Sequence, residues 1–212
     1  FNDFSGGGIT LTNLFKGWPK SNIAVAFLGH GLFNVTTEVC EIYYQLGRDE
    51  HKWIFPFNLI QRKFESGLKT FDKSKEPSVN HIQKGLRYQF VNTIFYPFLR
   101  WIGVLHFASH ISISDRFRIW LKEFNPDVLY LQVSTREEIH FANELIGFRN
   151  WPTIIHFMDD WPSTISSKGP FKKFWTRKID KELKSLFNKT DLCLSISDAM
   201  SIEYFKRYGK TF

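Results

Sequence analysis

Two patterns of apolar residues alternate along this chain. Ile23-Ala24-Val25-Ala26-Phe27-Leu28 is an unbroken apolar run between Asn22 and Gly29, the signature of a strand buried on both faces. Runs over 128–133, 153–158 and 192–196 have the same character, and Trp53-Ile54-Phe55, closed by Pro56, is a shorter strand candidate. Elsewhere the period becomes helical. Leu11, Leu14 and Phe15 keep helical spacing until Gly17 and Pro19 stop it. Phe117, Trp120, Leu121 and Phe124 share one face of a helix over 114–124, which Asn125-Pro126-Asp127 ends. Helices are also expected over 137–148, 171–188 and 198–208, the last N-capped by Asp198. Residues 64–112 read as largely helical, with a polar break from Lys73 to Pro77. Wholly apolar strands alternating with amphipathic helices predict an α/β fold with a doubly wound, mostly parallel sheet flanked by helices. No repeat or low-complexity linker divides the 212 residues, so a single domain is expected, with a helical insertion at about 60–112.

Composition changes this picture in two places. Aromatic residues make up 17% of the chain, 23 of them Phe, more than a core of this size needs, so part of that surface is available to an interface or a membrane. The net charge of +7 favours anionic ligands or an anionic membrane face. The most hydrophobic window, Tyr88 to Phe107, is interrupted by Gln89, Asn92, Pro97 and Arg100, which argues against a spanning helix. No basic segment followed by an apolar stretch and a cleavage site marks a secreted chain. Cys40 and Cys193 form no CxxC pair, and Cys193 sits in an apolar run. A buried reduced thiol at Cys193 and a cytoplasmic location are therefore expected. No reading motif for nucleic acid is present.

Several places could carry chemistry. Gly6-Gly7-Gly8 opens the first helix, where missing side chains and free N–H groups admit an anion, although the dinucleotide fingerprint GxGxxG is not met. The other reading is a tight turn without a ligand. Asp159-Asp160 closes the strand over 153–158. Carboxylates there can orient hydroxyls or accept a proton, or else cap a helix. Gln132, Ser134, Ser195 and Ser197 also stand at strand ends and, with the aspartates, outline a crevice along one edge. His156 lies within a strand and reads as a hydrogen-bonded core histidine; His30 lies in a loop between Gly29 and Gly31. From Lys168 to Lys178, cations interleave with Phe171, Phe174 and Trp175. Such a helix either rests on an anionic bilayer or turns its aromatics into the core and its cations to solvent.

The order of these motifs resembles the N-terminal domain of glycosyltransferase family 4. The likeness rests on Gly6-Gly7-Gly8-Ile9, Asn125-Pro126-Asp127-Val128-Leu129-Tyr130, Pro152-Thr153-Ile154-Ile155-His156-Phe157-Met158-Asp159-Asp160 and Thr190-Asp191-Leu192-Cys193-Leu194-Ser195-Ile196-Ser197. It omits about residues 30–110. The resemblance implies the acceptor-side, Rossmann-like half of a two-domain GT-B enzyme that transfers a sugar with retention of configuration, using no cofactor and no essential metal. It places Gly6, Gly7 and Gly8 against the diphosphate of a nucleotide-sugar donor. It places Asp159 and Asp160 as catalytic candidates, and Gln132, Ser134 and Ser197 beside a saccharide or lipid-linked acceptor. Met158 and Gln132 stand where the family usually has histidine. Surface polysaccharide synthesis at the inner membrane face is the expected setting. The chain begins at Phe1 and closes at Phe212 without a donor domain, so the isolated piece is expected to be inactive. The rival reading is a non-catalytic module that binds a nucleotide or a partner. A dinucleotide-dependent oxidoreductase is disfavoured by the missing GxGxxG.

Overall fold

The computed structural model describes residues 1–2, 5–28, 35–59, 64–69, 91–164 and 169–212. In chain order they form α1 (Gly6–Leu14), β1 (Ala24–Leu28), β2 (Ile42–Leu46), β3 (His51–Trp53), β4 (Gly67–Lys69), α2 (Tyr96–Ile102), α3 (Leu105–Ala108), β5 (Ser109–Ile111) and α4 (Asp115–Phe124). There follow β6 (Leu129–Leu131), α5 (Arg136–Phe148), β7 (Thr153–Phe157), α6 (Trp161–Thr164), α7 (Lys172–Phe187), β8 (Leu192–Ser195) and α8 (Asp198–Tyr208). A π-helical turn, Val91–Phe95, precedes α2. The fold is α/β, and the chain divides into two compact units. The first comprises Phe1–Lys52, Ile60–Gln83 and Ser114–Phe124; the second comprises Trp53–Leu59, Lys84–Ile113 and Asn125–Phe212.

In the first unit β2 is the middle strand, parallel to β1 and antiparallel to β4. Successive side chains of a strand face opposite ways. Tyr43 accordingly joins Ile23, Val39 and Cys40, with Phe15 packed alongside. Tyr44, the next residue, meets Phe117 and Trp120 of α4 at ring-centroid distances of 4.9 Å each. Glu50 is fully buried just after β2, and its carboxylate accepts from Tyr44 Oη at 3.1 Å, from the Gly47 amide at 3.0 Å and from Ser114 Oγ. Three donors on one buried carboxylate satisfy a group that would otherwise be costly to bury.

The second unit contains a three-stranded parallel sheet in the order β6-β7-β8, with α5 linking the first pair and α7 the second. Parallel neighbours need such crossovers. A capping box starts α5: Thr135 Oγ1 accepts from the Glu138 amide, and the Glu138 carboxylate accepts from the Thr135 amide at 3.1 Å. Along β7, Thr153, Ile155 and Phe157 are buried and alternate with half-buried Ile154 and His156. Ile155 and Phe157 meet Ile139, Leu183, Leu186, Phe187 and Tyr204 in the core. Asp191 clamps the start of the sheet, its amide donating to the Thr153 carbonyl at 3.1 Å and its carboxylate accepting from the Thr153 amide at 2.8 Å.

The structure amends several expectations. The first unit's sheet is mixed, because β4 pairs antiparallel with β2. β1 is only half-buried, with Ala26 exposed. The strand expected at 53–55 ends at Trp53, leaving Ile54 and Phe55 exposed. β2 was not anticipated, and β4 and β5 interrupt the segment read as helical over 64–112. Ser197, not Asp198, caps α8: its hydroxyl accepts from the Met200 amide at 3.3 Å. Within the insertion, residues 70–90, including the polar break at 73–77 and Tyr88 and Gln89, lie outside the described residues, as do His30 and Lys168. Cys193 is free and buried, as expected, and so is Cys40. Burial pushes the Cys193 thiol up to about 11, against an opposing pull from Lys210, so it stays protonated near neutrality.

Three histidines of the second unit give its stability a pH dependence. His106, His140 and His156 all have pKa values below the usual imidazole value, first because burial penalises the cation. At His106 and His140 the Arg136 guanidinium adds to the effect, and Glu182 opposes it. The unfolded chain therefore takes up protons at a higher pH than the folded one. Stability is present above the unfolded value of about 6.5 and is lost as pH falls below it. The melting temperature should drop between about pH 7 and 5. Glu138, whose carboxyl is raised by burial, contributes with the opposite sign, so the decisive measurement is a difference. His106→Gln should flatten the slope of melting temperature against pH relative to wild type. Parallel slopes would remove His106 as a contributor.

Candidate functional site

Because β6, β7 and β8 run parallel, their carboxyl ends lie along one edge, and the residues just beyond them are those the sequence singled out. Gln132 and Ser134 follow β6, Asp159 and Asp160 follow β7, and Ser197 follows β8; all five are exposed. Gln132 Nε2 donates to Met158 Sδ at 3.2 Å, tying the first two strand ends together. Ser195 Oγ lies 2.7 Å from Ser201 Oγ and donates to the Ser197 carbonyl at 3.1 Å, which fixes the turn from β8 into α8.

The two aspartates prove different. Asp160 is held from α8: Tyr204 Oη donates to its Oδ1 at 2.9 Å, and Arg207 Nη1 stands 3.6 Å from the same oxygen. Arg207 also donates to Asp180 Oδ1 at 2.9 Å and to Ser163 Oγ at 3.0 Å, and Tyr208 Oη donates to Asp180 Oδ1 at 3.0 Å. Burial, then the hydrogen bond to Asp160, raises the Tyr204 phenol well above its ordinary value, so it remains a donor. Asp160 is thus part of a network joining the end of β7 to α7 and α8. Asp159 has no hydrogen bond or ion pair to any described residue and points its charge into solvent at the end of the middle strand.

The remaining candidates divide in the same way. The Ser134 amide donates to the Glu138 carboxylate at 2.6 Å as part of the α5 cap, and its hydroxyl has no partner among the described residues. The Ser197 hydroxyl is occupied as the cap of α8. His156, one residue from the buried end of β7, is hydrogen-bonded to Tyr130 Oη, which agrees with its reading as a core histidine. Tyr204, Arg207 and Asp180 were missed by the sequence reading. Tyr204, Arg207 and Tyr208 stand at i, i+3 and i+4, so a polar stripe on the inner face of the last helix was the available signal.

Gly6, Gly7 and Gly8 belong to the first unit, where they form the opening turn of α1 itself rather than a loop before it. Ser5 caps them: its Oγ accepts from the Gly8 amide at 3.2 Å, while Asn2 Oδ1 accepts from the Ser5 amide at 2.9 Å and from Ser5 Oγ at 2.8 Å. A Cβ on Gly8 would come within 2.2 Å of the Asn2 side chain, so a larger residue there would have to displace the amide that braces Ser5. Gly6 faces open space, with nothing within 4 Å of where its Cβ would be, and both Gly6 and Gly7 are exposed.

No protein-family model, curated protein or solved structure matches the chain. Among the described residues no cluster of three or more His, Cys, Asp or Glu side chains could hold a metal ion, and no helix is long and apolar enough to cross a membrane.

Proposed function

We propose that the chain is part of a retaining glycosyltransferase that moves a sugar from a nucleotide-sugar donor to a hydroxyl acceptor, a saccharide or lipid-linked saccharide, in surface polysaccharide synthesis at the cytoplasmic face of a membrane. The observation that carries this reading is Asp159. It is an exposed carboxylate without a partner among the described residues, at the carboxyl end of the middle strand of a parallel sheet. Ligands of open α/β sheets collect at that edge, and the parallel strands β6, β7 and β8 with α5 and α7 as their crossovers support this reading. Asp159 orients an acceptor hydroxyl or takes up its proton, with the exposed hydroxyl of Ser134 and the amide of Gln132 as further contacts along the strand ends. Asp160 serves as the positioning residue that holds the strand end to α8. The nucleotide sugar is a substrate, and no cofactor enters the reaction.

Gly6 and Gly7 support the donor half of the reading. Glycine is a weaker helix former than alanine, by roughly 0.5–1 kcal/mol in a helix interior. A side chain at Gly8 would displace Asn2, whereas nothing near Gly6 excludes one. Bare backbone at a helix start lets a diphosphate approach the amide groups. The test is a panel of nucleotide sugars offered to the whole protein with saccharide and lipid-linked acceptors, reading release of the nucleotide. Turnover with one donor is expected, and Gly7→Val should lower it about a hundredfold or more. Release from no member of the panel would overturn the transferase reading, and wild-type turnover by a folded Gly7→Val protein would overturn the glycine assignment alone.

A further inference from the structure

Away from the strand ends, the second unit exposes an unusual set of rings. Ile94, Phe98 and Trp101 are each more than half exposed and are spaced four and three residues apart, so they return to one side of the helical segment, while Leu99 is buried on another. Phe107 is also exposed, as are Phe171 and Phe174 around the start of α7. Two glycines bring these elements together. A Cβ on Gly169 would lie 1.9 Å from the Trp101 carbonyl oxygen, and a Cβ on Gly103 would lie 2.1 Å from Trp175 Nε1. Phe107 stacks on Trp175 at 6.0 Å. The start of α7 therefore sits directly against the segment from α2 to α3, which puts the exposed rings of both on neighbouring elements.

Charge decides what such a surface suits. Residues 91–108 and 169–178 contain Arg100, Lys172, Lys173, Arg177 and Lys178 and no Asp or Glu. Lys178 Nζ lies 5.8 Å over the Phe174 ring, and Lys172, Lys173, Thr176 and Arg177 rim a shallow depression. We propose that this surface docks in the plane of an anionic lipid bilayer, its Phe and Trp rings entering the headgroup boundary and its cations meeting lipid phosphates. The rings supply apolar area that water disfavours, and the cations supply attraction that a neutral surface does not offer. This proposal deepens the membrane setting of the transferase reading, but it concerns different residues and is tested without a nucleotide, so its failure would leave the transfer chemistry standing.

The experiment is sedimentation of the chain with vesicles of phosphatidylcholine alone and of phosphatidylcholine mixed with phosphatidylglycerol. Binding is expected only to the mixed vesicles and should fall as salt is raised. Phe98→Ser with Trp101→Ser should weaken it about tenfold or more, and so should Lys172→Glu with Lys173→Glu. These side chains are exposed, so melting temperatures should stay at the wild-type value. If the first pair disturbs folding, Phe171→Ser with Phe174→Ser replaces it, with the same expected loss. Equal binding to both vesicles, no binding to either, or binding that survives the variants would overturn the proposal. Self-association abolished by the ring variants, without vesicle binding, would assign the surface to a second copy of the chain instead.

Discussion

Asp159→Asn is expected to leave the protein folded and to lower sugar transfer by about 10²–10⁴-fold, the range for losing a positioned acid or base. Asp160→Asn is expected to do the reverse. Asn keeps the size of Asp and removes its charge, so each variant asks what that charge does. At Asp159 no described residue depends on it, and stability has nothing to lose. At Asp160 the charge faces Arg207 at 3.6 Å and accepts from Tyr204 at 2.9 Å. An amide oxygen can still accept from Tyr204 but offers Arg207 less. The Asp160 side chain is 43% exposed, so solvent screens the pair, and about 1 kcal/mol is the expected cost. Turnover and denaturant midpoints measured on both variants separate the two roles. A stability loss at Asp159 with unchanged turnover would make it a cap and remove the observation on which the functional reading rests.

That division between adjacent aspartates was not legible in the sequence, and the reason is distance along the chain. Asp159-Asp160 announces a strand end, but Tyr204 and Arg207, which engage only the second carboxylate, come from the last helix, more than forty residues later. Ser197 shows the same limit at short range. Ser and Asp both make good caps, and the choice of Ser197 over Asp198 was settled by which backbone turned extended before α8. The strands β6, β7 and β8 were legible because each is an apolar run flanked by a turn signal, and α4, α5, α7 and α8 because their apolar residues keep helical spacing. β2 was not, although it is the middle strand of its sheet. Ile42-Tyr43-Tyr44-Gln45-Leu46 carries a polar residue and two hydroxyls, and all but Ile42 become buried only once β1, β4 and α4 surround them. β4 is three residues beginning at a glycine, too short to show any period. The exposed rings of α2 were visible only as an excess of aromatics, since composition does not say which of them the core leaves out.

Phe157→Ala should be the most destabilising single change in the second unit, costing about 3–5 kcal/mol. Phe157 is the last residue of the middle strand and is almost fully buried. Its ring stacks on Trp161 at 6.3 Å and meets Phe187, Tyr204 and Phe212 edge-on at 5.6, 5.4 and 6.3 Å. Rings in edge-to-face contact gain from their quadrupoles beyond the area they bury, and four neighbours lose that partner at once. The cavity cannot close easily, because Phe187 and Tyr204 also hold Phe212 edge-on at 5.2 and 5.1 Å. For a chain of this length the change corresponds to a fall in melting temperature of about 6–20 °C. Phe157→Leu, which refills most of the space, should recover a large part of the loss. The same ring lies two residues before Asp159 and touches Tyr204, whose hydroxyl holds Asp160. Loosening it should therefore disorder the strand end as well as the core, and turnover should fall even at temperatures where Phe157→Ala remains folded. A loss below about 1 kcal/mol would mean that the aromatic cluster does not hold the end of β7, and the placement of both aspartates would fall with it.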